Sequence, residues 1–405
     1  MVVHMDKLDM IFERMLSSRI FRNREVLRPD HVPDELPHRE EQILKLGAIL
    51  APALKGARPS NVFIYGQTGT GKTAVAKYVL RRLKAKAGDK VITAYVNCRE
   101  ADTNYRVLAD LCSFLDIHVP FTGLSTAEVL RRFIKGLDRK GKLMIAVLDE
   151  IDALVKKSGD AVLYHLTRIN ASLERSRLSI IGITNDLKFT EYLDARVKSS
   201  LGEEELVFPP YTYEELKDIL DMRAQEAFHE GVLEEGVIPL CAAIAAKEHG
   251  DARKALDLLR VAGEIAEREG ATKVTEEHVR KARRELEKDR VVDVLRTLPL
   301  HSKLVLLSVY RLEKLRIREI TTGEIYNLYK ELCKALGLDP LTQRRVSDLI
   351  SELDMLGILN ARVISRGRYG RTRRIRLGIS ERSLKEGLME DPSVRGLVHW
   401  SLLSS

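Results

Sequence analysis

Gly66, Gly71, Lys72 and Thr73 stand in the segment GQTGTGKT, the G-x4-G-K-T spacing of a loop that cradles phosphates. Glycines at those places let backbone N–H groups wrap phosphate oxygens, and Gln67, Thr68, Gly69 and Thr70 supply the rest of the cradle. Lys72 would reach the β and γ phosphates and Thr73 would ligate Mg²⁺. About 70 residues later the run KLMIAVLDEID ends in two carboxylates. Asp149 suits a group holding Mg²⁺, and Glu150 suits a base that orients and activates an attacking water. A third polar residue, Asn185, ends the run SIIGITND and would hold that water and the γ phosphate. Two arginines complete the constellation. Arg253, in HGDARKALDLL, can reach back to the γ phosphate, and Arg196, in EYLDARVKSSL, can be offered to a neighbouring subunit's nucleotide. The chemistry is hydrolysis of ATP to ADP with Mg²⁺.

These residues need elements to aim them. NVFIY (61–65) before the glycines and AVAKYVLRRLK after them predict strand, loop and helix, so that the helix amino terminus adds its positive end to the cradle. The runs ending at Asp149 and Asn185 read as further strands. Open parallel sheets bind ligands at the carboxyl ends of their strands, which makes three polar strand ends around one phosphate coherent. Arg253 belongs to a mostly helical stretch, 212–285, opened by Thr212 and Glu215 in capping-box spacing.

At 405 residues the chain has room for two or three domains. Its apolar runs stop far short of the roughly 18 residues of a membrane span, and its amino terminus does not resemble a secretory signal; a cytoplasmic, nucleoid-associated protein with no membrane partner is expected. Cys98, Cys112, Cys241 and Cys333 form no C-x-x-C pair, which argues against a zinc site or a disulfide framework. The net charge is +8, and residues 291–405 carry 20 Lys and Arg against 13 Asp and Glu, so the excess sits almost wholly at the carboxy-terminal end. A polyanion partner for that end follows.

The carboxy-terminal pattern says how the polyanion would be met. Thr321 to Glu324 caps the helix GEIYNLYKELCKAL, a turn through GLDPLT follows, and QRRVSDLISELDML places Val346, Leu349, Ile350, Leu353 and Leu356 on one helical face. Gly357 stops that helix, and ILNARVIS and RIRLGI flank the tip RGRYGRT as in a hairpin. A helix-turn-helix followed by such a hairpin is a winged helix. Its second helix would set Gln343, Arg344 and Arg345 against bases in a major groove. The hairpin would carry Arg366, Arg368, Arg371, Arg373 and Arg374 to a minor groove and its phosphates, with Tyr369 packing on sugar or protein.

The order of GQTGTGKT, LDEID, ITND, LDARVKSSL and GDARKALDLL resembles the AAA+ ATPases of DNA replication. VPDELPHRE, KKSGDAVLYHLTRIN and LTQRRVSDLISELDMLGIL are similar to the archaeal origin-recognition and cell-division-cycle-six type initiators, from about residue 16 to about 380. The resemblance implies an α/β AAA+ P-loop base domain (31–208) after an extension (1–30), a helical lid (209–290) and a winged-helix DNA-binding domain (291–395). It implies a slow ATP/ADP switch that binds double-stranded origin DNA, helps recruit the replicative helicase and meets related initiator subunits on DNA. Asn185 becomes sensor 1, Arg253 sensor 2 and Arg196 the arginine finger, although Ala195 stands where relatives often carry proline. Val26, Leu27, Pro37, His38 and Arg39 would help enclose adenine. Lys156, Lys157 and Arg168 would form a second DNA-binding surface, while Leu163, Leu166 and Ile169 would equally pack that segment onto the base domain. The rival functions are a clamp-loader-like motor and a winged-helix ATPase that regulates transcription.

Overall fold

The computed structural model describes residues 18–29, 31–186, 188–315, 317, 319–365, 371–389 and 391–398. They fall into two compact units divided between Arg280 and Lys281, within the helix Glu276–Thr297.

The first unit is built on five parallel strands, β1 (Val62–Gly66), β2 (Val91–Asn97), β3 (Leu143–Asp149), β4 (Arg177–Thr184) and β5 (Glu204–Phe208), in the order β2-β3-β4-β1-β5. β3 is buried along its whole length, as a strand with helices on both faces must be, which is why it reads as one apolar run rather than an alternation. Its side chains still obey the pleat. Met144, Ala146 and Leu148 join the core under helices Asn104–Ser113, Thr126–Lys140, Ile151–Ser158 and Ala161–Arg168, while Leu143, Ile145 and Val147 join the core under Glu40–Leu50 and Lys72–Ala87. Each such side chain contributes about 1.5–3 kcal/mol of burial, and together they hold the carboxyl ends of β1, β3 and β4 in one row.

Helices Tyr213–Ala227, Val237–Lys247 and Ala252–Glu269 form the lid of this unit. The capping box at its start is present: Thr212 N donates to Glu215 Oε2 at 2.8 Å and Glu215 N to Thr212 Oγ1 at 3.3 Å. Chain entering from the amino-terminal side packs on this lid, with the Phe21 and Phe228 rings stacked 4.8 Å apart. Gly263 makes the space, since a Cβ there would overlap the Phe21 ring.

In the second unit, helices Leu300–Lys314, Thr322–Ala335 and Gln343–Met355 precede antiparallel β6 (Leu359–Ser365) and β7 (Arg371–Leu377), and helices Glu381–Met389 and Pro392–Val398 follow. The expected apolar face of Gln343–Met355 is buried through Val346, Leu349, Ile350 and Leu353, whereas Leu356 is 56% exposed because the helix has already ended before Gly357 turns at φ +69°. All four cysteines are free and buried. No helix among the described residues is long and apolar enough to cross a membrane.

Candidate nucleotide site and nucleic-acid interface

β1 feeds the loop that ends at Gly71, and Lys72 begins the helix that leaves it. Gly69 and Gly71 take φ of +73° and +91°, conformations open to glycine without strain. A Cβ on Gly69 would overlap the Asp251 carboxylate, and one on Gly71 would lie 2.7 Å from the Tyr211 hydroxyl. The loop tip is gripped from two sides. Ala252 N, at the start of the lid helix, donates to the Gly69 carbonyl at 3.1 Å, and Arg39 Nε donates to the Thr70 carbonyl at 2.9 Å. Lys72 is 5% exposed, and its Nζ donates to the Gly66 carbonyl at 2.9 Å and the Gln67 carbonyl at 2.6 Å. Burial pushes its pKa down to about 8, with Asp149 pulling it upward and Arg253 adding to the depression. An ammonium that is costly to keep charged in the interior is one that anionic phosphates would stabilise.

Asp149 is the best-held acid of the site. Its Oδ2 accepts from Thr73 Oγ1 at 2.7 Å and from the Tyr95 hydroxyl at 2.8 Å, and its Oδ1 accepts from Glu150 N at 2.9 Å. Burial, and then the neighbouring Asp149, raise the Tyr95 pKa, so the phenol stays a donor. A hydroxyl and a carboxylate side by side form an oxygen donor set of the kind Mg²⁺ takes when it keeps waters and shares substrate phosphates. Glu150 sits in the left-handed region at φ +54°, ψ +43°, a conformation that costs a non-glycine residue about 1–3 kcal/mol. Its carboxylate is 3.9 Å from Arg99.

A cavity of about 330 Å³ opens over these groups, at the small end of the range for ligand pockets. Gly69 to Thr73, Asp149, Glu150, Asn185 and Arg253 line one end of it. The wall also takes in Lys77, Tyr95, Asn97 and Tyr211, residues of the loop between Arg28 and Pro37, and Ile219, Met222, Arg223 and Leu256 of the lid. Strand ends, loop and lid thus meet around one space, with fixed donors and a cation beside paired carboxylates, an arrangement able to bind a nucleoside polyphosphate and to orient water on it.

The second unit presents its charge differently. Thr342 caps Gln343–Met355, accepting from Arg345 N at 3.3 Å, and Gln343, Arg344 and Arg345 are all exposed on that first turn. In the hairpin, Ile375 points inward and is fully buried. Its strand neighbour Arg373, on the same side of the pleat, donates from Nη1 to Ser351 Oγ of the helix at 2.6 Å. The opposite face carries Arg374 and Arg376, paired in register with Arg362 and Asn360.

Three family models match in succession: an AAA domain over residues 57–191, a Cdc6 AAA+ ATPase-type lid domain over 217–284, and the CDC6 C-terminal winged helix domain over 293–387. The ORC1-type DNA replication protein 1 of Sulfurisphaera tokodaii is 58% identical over 386 residues, 95% of this chain and 97% of that protein. The chain belongs to the ORC1/CDC6 family of DNA replication initiators. Another member, the ORC1-type protein of Pyrococcus furiosus, is 55% identical over 99% of this chain and 97% of its own. Among solved structures, ORC1 of Aeropyrum pernix in complex with DNA matches at a TM-score of 0.83 and 57% identity, covering 94% of this chain and all of that one. CDC6p from Pyrobaculum aerophilum matches at 0.58 and 26%, covering 94% and 98%. AAA+ ATPase base, lid and winged helix are therefore the architecture of this ORC1-type chain.

The other expected site residues occupy varied settings. Of the residues expected around adenine, Pro37 lines the cavity, but Val26 and Leu27 are buried in the packing of the lid and His38 pairs with Asp218 at 2.9 Å. Arg39 is 2% exposed; its Nη1 and Nη2 donate to the His38 and Pro209 carbonyls, both at 2.7 Å, over the Tyr211 ring. It braces the phosphate loop rather than forming the wall. Gly66, Gln67 and Thr68 are not among the residues lining the cavity; the carbonyls of the first two accept from the Lys72 ammonium. Lys156 pairs with Asp186 at 2.7 Å and Lys157 with Asp102, both side chains staying more than half exposed, while Leu163, Leu166 and Ile169 pack into the core of the base domain. Arg168 lies over the Tyr164 ring, 4.8 Å from its centre. Arg196 is exposed, forked onto Asp194 at 3.0 and 3.1 Å, and does not line its own chain's cavity. Arg366, Arg368 and Tyr369 lie outside the described residues, as does the Arg371 side chain. Tyr95 and Tyr211 stand in no motif, and nothing in the sequence singles them out. Arg376, by contrast, was accessible through strand alternation, since an inward Ile375 turns both its neighbours outward.

Proposed function

We propose that this chain is an ATP-dependent initiator that binds double-stranded origin DNA, acts as a slow ATP/ADP switch and helps recruit the replicative helicase. The observation carrying this reading is the 57% identity, at a TM-score of 0.83, with an ORC1 protein whose structure was determined in complex with DNA. In this reading Lys72 releases the Gly66 and Gln67 carbonyls to meet the β and γ phosphates, and Thr73 and Asp149 hold Mg²⁺, which would neutralise phosphate charge. Glu150 orients the attacking water, Asn185 holds it from the neighbouring strand end, and Arg253 approaches from the lid. Phosphates entering the loop would disturb the Gly69 to Ala252 and Thr70 to Arg39 hydrogen bonds, which gives the switch its route to the lid. Turnover is slow because Arg196 does not face its own nucleotide and serves only once a related initiator subunit lies alongside.

On DNA, the first turn of Gln343–Met355 reads the major groove through Gln343, Arg344 and Arg345. The hairpin meets phosphates through Arg362, Arg374 and Arg376, and its tip, with Arg366, Arg368, Tyr369 and Arg371, enters the minor groove. Footprinting of the full chain on putative origins of its source and on random duplexes, with ATP and with ADP, beside single-turnover hydrolysis, tests this. Equal protection of both duplexes combined with fast multiple turnover would favour a motor and reject the switch.

A further inference from the structure

The wall of the cavity includes a buried cation, Arg223, that the phosphate chemistry does not use. Helical spacing brings Ile219, Met222 and Arg223 to one face of Tyr213–Ala227, and all three belong to the cavity wall together with Leu36 and Leu256. Val32, Pro33, Leu36, Pro37, Ile219, Met222 and Leu256 give this part of the wall a largely apolar surface, with Arg28, His31, Glu35 and Arg223 as its charged or polar members. Arg223 is 5% exposed. Its Nη2 donates to the His31 carbonyl at 3.4 Å, a long hydrogen bond, while Nε and Nη1 have no partner among the described residues. The acid with a noticeable effect on it is Glu226, exposed on the same helix and not within ion-pair distance. Burial holds the guanidinium below the ordinary arginine range. A guanidinium cannot escape the penalty by losing its proton, and a buried charge without partners is destabilising unless something completes its hydrogen bonds.

We infer that Arg223 is a nucleotide-recognition residue, turning about its terminal bonds to donate N–H groups to the ring acceptors of a purine held between Leu36, Met222 and Leu256. The apolar walls accept the flat faces of a base, and the paired donors of a guanidinium suit acceptors on its edge. This deepens the reading of the cavity as an ATP site and rests on it.

The experiment uses the full chain, calorimetry with Mg²⁺ and either ATP, ADP or inorganic tripolyphosphate, and the variants Arg223→Met and Arg223→Lys, with Lys72→Ala as the control for the site. Arg223→Met is expected to weaken ATP and ADP by roughly ten- to a hundredfold, the range for hydrogen bonds from a charged donor. Tripolyphosphate binding should stay at the parent level, and Arg223→Lys should fall between. The melting temperature of the nucleotide-free Arg223→Met chain should not drop, because an unpaired charge has left the interior. Unchanged ATP affinity, an equal loss for ATP and tripolyphosphate, or a lowered melting temperature without nucleotide overturns the assignment. Failure of the parent to bind ATP, or parental binding by Lys72→Ala, defeats the ATP-site reading itself and the role of Arg223 with it.

Discussion

The two ends of the chain hold their positive charge in opposite ways. Around the phosphate loop, Lys72, Arg39 and Arg223 are each no more than 5% exposed, and the first two are fixed by short hydrogen bonds to backbone carbonyls. On the winged helix, Arg344, Arg345, Arg362 and Arg376 are exposed on a helix turn and a hairpin face. A buried cation interacts strongly with one ligand in one geometry, because little water screens it. An exposed cation interacts weakly with any phosphate in reach and is screened by salt. The first arrangement makes an all-or-none site, and the second a graded one.

The largest effect is expected where that contrast is sharpest. Lys72→Ala should weaken ATP binding by about a thousandfold or more, the scale for truncating one partner of a desolvated charge pair, while circular dichroism remains that of the parent. Near-parental binding would mean that the buried end does not work by charge. Next, Glu150→Gln keeps the side-chain shape and loses the base, so hydrolysis should fall by roughly 10² or more with ATP still bound. A filter-binding assay beside single-turnover kinetics separates the two quantities; parallel losses would remove Glu150 from its role.

The exposed end should respond in smaller steps. Arg344→Ala is expected to lower discrimination between origin and random duplex by about 1–3 kcal/mol if it makes a bidentate hydrogen bond to a base. Arg362→Ala with Arg376→Ala should weaken both duplexes together and flatten the slope of log affinity against log salt by about 1 for each phosphate no longer neutralised. Arg373→Ala should change that slope less, because its guanidinium is directed to Ser351. Titrations at several salt concentrations rank these variants, and a slope unaltered by the double variant would show that this face does not meet phosphate.

The smallest effect concerns pH. Burial holds the Lys72 pKa at about 8 against an ordinary 10.5, so between those values the unfolded chain binds more protons and, without nucleotide in solution, stability should rise with pH. Phosphates beside the ammonium would raise the value again, and binding above pH 8 would then take up a proton. ATP affinity should decline above about pH 8 by at most tenfold per unit, and calorimetry in buffers of different ionisation enthalpy should register the proton at about pH 9. No uptake at that pH would place the ammonium in a more solvated setting.

Sequence alone was sufficient for the phosphate loop, the paired acids, the helix caps and the helix-turn-helix. Each is a local pattern whose chemistry follows from neighbours a few residues apart. It also located the charge excess. What it did not settle was which arginines do what, because that depends on partners far away in the chain. Arg39 meets Thr70 and Pro209, Tyr95 meets Asp149, Lys156 meets Asp186, and Arg223 lines a cavity shared with Arg28, almost 200 positions earlier in the chain. Arginines 362 to 376 look alike in the sequence, yet burial of Ile375 turns Arg373 toward the helix and Arg376 toward solvent. Backbone pattern is decided by short-range sterics and hydrogen bonding, so it can be read along the chain. The fate of a charge is decided by its desolvation and by whichever dipoles the fold brings within about 3 Å of it, and only the tertiary structure supplies those.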